Sequence, residues 1–168
     1  VTGVQTCALP ISPNFAEAGA NNQSLLTTSA LLAALGTNNV TVTTTSTGTA
    51  PGNITIVDPI AYTGGTARTL SLTAANAINV NASVTSSTAQ LGVALNAGAG
   101  GIAIGNAGNI NLAGGMLTLN TAGTSSQGSG SVISGTTAVT KSGTGTMTLS
   151  GANTYTGLTT VSRSEEHT

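Results

Sequence analysis

Only nine side chains in this sequence carry a thiol, an imidazole or a full charge: Cys7, Glu17, Asp58, Arg68, Lys141, Arg163, Glu165, Glu166 and His167. General acid and base catalysis, metal ligation and phosphate clamping all draw on these residue types, and each needs several of them converging on one site. Five of the nine lie at the two ends. Between them stand Glu17, Asp58, Arg68 and Lys141, whose charges cancel, with no Cys and no His. Without a His in that body, none of its many Ser hydroxyls can be activated as a triad nucleophile. A polysaccharide lyase would need a carboxylate cluster for calcium and an Arg or Lys base on one face. One Asp, one Glu, one Arg and one Lys, spread along the chain, do not supply it. No catalytic, cofactor-binding or metal-ligating residue is therefore assigned, and no cofactor is expected.

The remaining candidates are weaker. Asp58 and Arg68 could pair across a loop, but two separately solvated charges are favoured, and an exposed pair contributes little. Three basic residues cannot neutralise a run of phosphates, and two Tyr and one Phe offer little stacking surface, so nucleic acid is excluded as a partner. Asn22, Asn39, Asn53 and Asn81 each begin an Asn-x-Ser/Thr triplet, which chance explains in a chain this rich in Ser and Thr. The stretch NAGAGGIAIGNAG has the glycines of a phosphate cradle but neither a following helix nor a Lys, so its glycines are read as corners.

What must position these groups is a chain of 168 residues that is 39% hydrophobic yet only 4% charged, with mean hydropathy +0.27. That balance favours a packed fold filled by small side chains over disorder. No apolar run reaches the roughly 18 residues of a membrane-spanning helix. The chain opens on Val1 with no basic segment ahead of an apolar one, so it is expected to be an internal fragment that does not itself span a membrane. Residues 1–11 (VTGVQTCALPI) and the tail 162–168, ending RSEEHT, resemble translated sequencing-adapter read-through and are set aside as artefacts.

The body repeats. Ile54/Ile56, Ile78/Val80 and Ile102/Ile104 recur every 24 residues, and Leu70/Leu72, Val93/Leu95 and Leu117/Leu119 recur at steps of 23 and 24; Ile60 and Val84 add a third, weaker series. Each pair is inward, outward, inward, the period of a half-buried strand. Glycine-rich turns separate the pairs, at Gly64 and Gly65, Gly105 to Gly108, and Gly114 and Gly115. Short strands in fixed order at one repeat length predict an all-β parallel β-helix over residues 37–161, with about 24 residues per turn. Around six turns would make a rod roughly 30 Å long. Thr55, Asn79, Ala103, Ser71, Ala94 and Thr118 are expected to face outward. A regular Thr array on one face would suit ice binding, and Thr41/Thr43 is read as not continued. Residues 12–36 form a lead-in with a short helix over residues 29–35, capped by Thr28 and closed by Gly36, that shields a coil end or one side of a turn.

The stretches SALLAALGTNNVTVTT, GNITIVDPIAY, LSLTAANAINVNASV and LGVALNAGAGGIAIGNAGNINLAGGMLTLNTAG resemble the passenger region of filamentous-haemagglutinin-like adhesins and bacterial autotransporters. Residues 141–161, KSGTGTMTLSGANTYTGLTTV, resemble more specifically the passenger-associated repeat of autotransporters. Gly143, Gly145, Met147, Leu149, Gly151, Asn153, Thr154, Tyr155, Gly157 and Val161 match its pattern, whereas Leu158 stands where a second Gly is usual. The resemblance implies a right-handed parallel β-helix, with Met147 and Leu149 inward, a corner at Gly151 to Asn153, and Tyr155 capping or packing on the next turn. It implies a stalk segment, surface-exposed or secreted, tied to the outer membrane through a barrel or partner transporter elsewhere. Its expected role is adhesion or aggregation without catalysis, with host-cell or bacterial surfaces, matrix components or a second copy as partners. The alternative is an inert spacer that presents an enzymatic domain lying elsewhere in a longer chain.

Overall fold

The computed structural model describes residues 14–16, 25–45 and 51–162. The segments set aside at the two ends fall outside these residues apart from Ser162, as do Glu17 and Asn22. Fifteen strands and one helix follow one another among the described residues. The lead-in supplies β1 (Asn14–Ala16) and α1 (Thr28–Thr37), and β2 (Val40–Thr43) opens the coil. Then come β3 (Ile54–Ile56), β4 (Ile60–Tyr62), β5 (Arg68–Ala74), β6 (Ala77–Val80), β7 (Val84–Ser86) and β8 (Leu91–Ala97). The coil continues through β9 (Gly101–Ile104), β10 (Ile110–Asn111), β11 (Met116–Thr121) and β12 (Ser125–Gln127), and ends with β13 (Ala138–Ser142), β14 (Met147–Leu149) and β15 (Thr159–Val161).

Every pairing is parallel and joins one turn to the next. The first sheet runs β1-β2-β5-β8-β11-β13-β15, the second β3-β6-β9-β12-β14 and the third β4-β7-β10, extended by a bridge from Ile110 to Ile133. The chain visits the second, third and first sheets in that order on each circuit, which makes an all-β parallel β-solenoid of about five turns and about 23 residues per turn. Most strand backbone groups are thereby satisfied between turns.

The expected ladders are the core. Leu70 pairs with Val93 and Val93 with Leu117, while Leu72, Leu95 and Leu119 form the adjacent column. In the second sheet Ile54, Ile78 and Ile102 align, as do Ile56, Val80 and Ile104. All of these are buried except Ile54, which is half-buried at the first rung. Each buried aliphatic side chain contributes about 1.5–3 kcal/mol relative to exposure, and no single turn offsets its own chain entropy. Stacking is therefore obligatory.

Three details differ from the sequence expectation. About five turns form instead of six, and the first step, from Val40 to Leu70, is longer than the rest at 30 residues. The helix is capped by Thr27 rather than Thr28. Thr27 has the extended backbone a cap requires, and its hydroxyl accepts the Ala30 N–H at 3.3 Å. Gly36 lies inside the last turn, and α1 ends at Thr37, with the Asn38 N–H donating to Ala34 O. Leu31, Ala34 and Leu35 are buried, and α1 packs against β2, β4 and β5. It thus stands beside β4, at the end of the third sheet where a further strand would otherwise lie, and shields that side of the coil.

Candidate functional site

Two regions carry features beyond packing: the outer face of the first sheet, and the last turn. On the first sheet, Thr41, Ser71, Ala94, Thr118, Thr140 and Thr160 align in one outward column. Thr43, Thr73, Asn96, Asn120 and Ser142 align in the next. Ser71 and Ala94 interrupt the column through Thr41, so it is not a regular Thr array. Counting 24 residues from Thr41 lands on Gly65, whereas the longer first turn brings Ser71 into register. None of the residues in the two columns is charged, and the side chains bond laterally, as where Asn120 Nδ2 donates to Asn96 Oδ1 at 3.3 Å.

Other asparagines tie successive turns at the corners, where strand pairing lapses. The Asn53 carboxamide oxygen accepts from Ala77 N at 3.1 Å and from Asn76 Nδ2 at 2.8 Å. Asn39, Asn106 and Asn109 accept in the same way from the N–H groups of Thr69, Gly130 and Val132. Two of the Asn-x-Ser/Thr triplets, at Asn39 and Asn53, thus have a structural use. Spacings of 23 and 24 were the available signal for Asn53, Asn106 and Asn109, whereas Asn39 lies 30 residues from Thr69.

The two central charges are not paired with each other. Asp58 is exposed in the corner between β3 and β4. Arg68, at the start of β5, donates from Nε to Leu35 O at 3.1 Å, on the last turn of α1. A guanidinium there satisfies an open helix carbonyl and complements the helix dipole. A shallow trough runs past Arg68 over Gly92, Gly114 and Gly115, flanked by Asn39 and Gln90. Its polar groups are suited to hydrogen bonding, with one fixed positive charge. Among the described residues no group of three or more His, Cys, Asp or Glu side chains is placed to hold a metal ion.

Toward the last turn the interior becomes polar. Thr121, Ser125, Gln127, Ser131 and Thr137 are all buried. Ser125 follows Ile102 in its column, and its hydroxyl accepts the Ile102 N–H at 2.8 Å. Gln127 follows Ile104 directly. Lys141 stands in the inward column after Leu119, and its ammonium donates to the carbonyls of Ser142 and Gly143. Desolvation there holds Lys141 below the usual lysine range. Gly143 has φ +76, a conformation that suits glycine.

The last turn places its motif residues as follows. Met147 pairs with Ser125 and packs half-buried on the core; Leu149 pairs with Gln127 but remains 37% exposed among the described residues. Asn153 occupies the corner and reaches into the coil: its side chain and that of Gln127 donate to each other at 2.8 Å. Tyr155 is half-buried against the core, with its hydroxyl 3.0 Å from Thr159 Oγ1. Leu158 is 75% exposed, and its carbonyl accepts the Val139 N–H at 2.9 Å.

Residues 139–163 match the family model of the passenger-associated-transport-repeat. Solenoid and repeat together fit a fragment of an autotransporter passenger. The matched passenger repeat begins inside β13 and includes Lys141, Asn153 and Tyr155. No curated protein and no solved structure matches the chain. A passenger repeat on a β-solenoid points to a structural rather than a catalytic role, and to a surface or secreted location. No helix among the described residues is long and apolar enough to cross a membrane.

Proposed function

We propose that this chain is a stalk segment of a bacterial passenger that adheres to surfaces through its uncharged outer face. The observation that supports this reading is the pair of outward columns on the first sheet, from Thr41 to Thr160 and from Thr43 to Ser142. A flat array of hydroxyl and carboxamide groups with no net charge offers many weak hydrogen bonds and little electrostatic repulsion. Repeated along a rod, such contacts add by multivalency. Host-cell or bacterial surface components, matrix components and a second copy of the rod are the partners this chemistry suits.

The test uses the whole chain coupled to beads at several densities. Bead clumping and retention on bacterial cells, cultured host cells and matrix-coated plates are compared with those of the Thr118→Lys/Thr140→Lys variant. Density-dependent adhesion that the two lysines abolish supports the proposal. Adhesion no greater than that of uncoated beads on every surface would replace it with a spacer role. The polar face would then serve only to keep the rod soluble.

A further inference from the structure

The last turn is attached unlike the others. From Thr140 to Ser162 no residue is fully buried, and only Met147 and Tyr155 pack half-buried on the core. Burial of aliphatic side chains, which fastens the turns from β5 to β11, is largely missing here. What replaces it is a pair of carboxamides.

Gln127 is 2% exposed and uses its whole hydrogen-bonding capacity on the next turn and on its own corner. Its Nε2 donates to Asn153 Oδ1 at 2.8 Å and to Ser131 O at 3.2 Å. Its Oε1 accepts from Asn153 Nδ2 at 2.8 Å and from the Gly151 N–H at 3.3 Å. Asn153 Oδ1 takes in addition the Ile133 N–H at 2.8 Å, tying the third sheet to the same pair. Gly151 completes the fit, since a Cβ at that position would overlap Ser131 O and the Gln127 carboxamide. An amide facing an amide is satisfied in both directions only in one register. A shift by a single residue would leave the buried Gln with one donor and both acceptor sites unmet.

We propose that Gln127 and Asn153 form a latch that docks the passenger repeat onto the preceding turn in a single register, and that the repeat opens as a unit when the pair is broken. The segment on the far side of the latch comprises β14 and β15 with the corner between them. Turns built on aliphatic columns stay closed when it opens, because none of their inward contacts passes through the pair. The last turn is then a separately opening unit at the low-stability end of the coil.

Native-state hydrogen exchange on the whole chain, followed by mass spectrometry, reads this directly. Asn153→Ala is expected to raise exchange about tenfold or more across residues 147–161 and at the Ile133 amide, with Leu70 to Thr121 unchanged within about twofold. Gln127→Leu, which extends the column of Val80 and Ile104, is expected to open the same segment while keeping the coil folded. Gln127→Glu supplies a readout that packing alone would not move. Its carboxylate accepts from Asn153 Nδ2 but cannot donate to Asn153 Oδ1, whereas the protonated acid can. Protection of residues 147–161, corrected for intrinsic rates, is then lost at neutral pH and recovered in acid. Unchanged exchange at 147–161 in the Asn153 and Gln127→Leu variants would overturn the latch. So would an equal rise along the whole coil, or protection in Gln127→Glu that does not depend on pH.

Discussion

Lys141 stands directly across from Leu119 in the inward column of the first sheet, with Val161 on its other side. A column of leucines therefore ends on an ammonium group that finds its partners in two main-chain carbonyls of its own strand end, those of Ser142 and Gly143. Burial pulls the Lys141 ammonium below the ordinary lysine value. The unfolded chain then binds this proton more tightly than the folded one, so the cost is constant at neutral pH. It is relieved as pH rises from the folded value toward the ordinary one.

Replacing Lys141 by Met should accordingly stabilise the coil at neutral pH, because a flexible apolar side chain fills the same rung without desolvating a charge. Urea denaturation of both proteins checks this. The advantage of the Met variant should shrink as pH is raised through the alkaline range. A variant less stable than the parent would show that the two carbonyl bonds outweigh the desolvation.

Ile78 and Asn79 are sequence neighbours with opposite roles. Ile78 is fully buried between Ile54 and Ile102, whereas Asn79 faces outward and touches Thr55 only through a 3.4 Å hydrogen bond. Ile78→Asp should cost more than about 4 kcal/mol and unfold at least the turns on either side. Asn79→Ala should cost under about 0.5 kcal/mol. Thermal melts followed by circular dichroism distinguish them, and similar losses for both would contradict the assigned faces.

Arg68 couples the helix to the coil through Leu35 O. Arg68→Leu keeps the aliphatic stem and removes the donor, so it should cost about 1 kcal/mol, confined to α1. The amides of Leu31 to Asn38 should exchange faster, while those of β8 and β11 keep their rates. Loss of protection spread evenly over the coil would assign Arg68 a wider role.

The aliphatic ladder was legible because Ile, Leu and Val mark inward positions by type as well as by spacing. Ile54, Ile78 and Ile102 announce a turn of 24 residues without any structure. Ser125 and Gln127 hold the next rung of those columns, but polar side chains at inward positions look like outward ones when composition is the only guide. Lys141 was hidden in the same way. The register of Thr41 with Ser71 is hidden for a different reason, since the first turn is longer than the rest and a fixed period steps past Ser71. The contact between Arg68 and Leu35 links residues 33 positions apart across a helix-to-strand transition, where no periodicity operates. The resemblance to the passenger motif already implied a corner at Gly151 to Asn153. That its Asn points inward and pairs with Gln127 required the coil to be wound.

Consecutive turns stack in parallel register along one axis. Double electron–electron resonance between spin labels on the outward column of the first sheet tests it most directly, with Cys7 replaced by Ser so that only the introduced cysteines are labelled. Thr41 and Thr160 are five rungs apart, and Ser71 and Thr160 four. At about 4.8 Å per rung the backbone separations are about 24 Å and about 19 Å. Two narrow distributions that differ by one rung, centred near these values after allowance for the label arms, are the predicted result. Broad distributions, or separations that do not grow with rung number, would contradict the stacked coil.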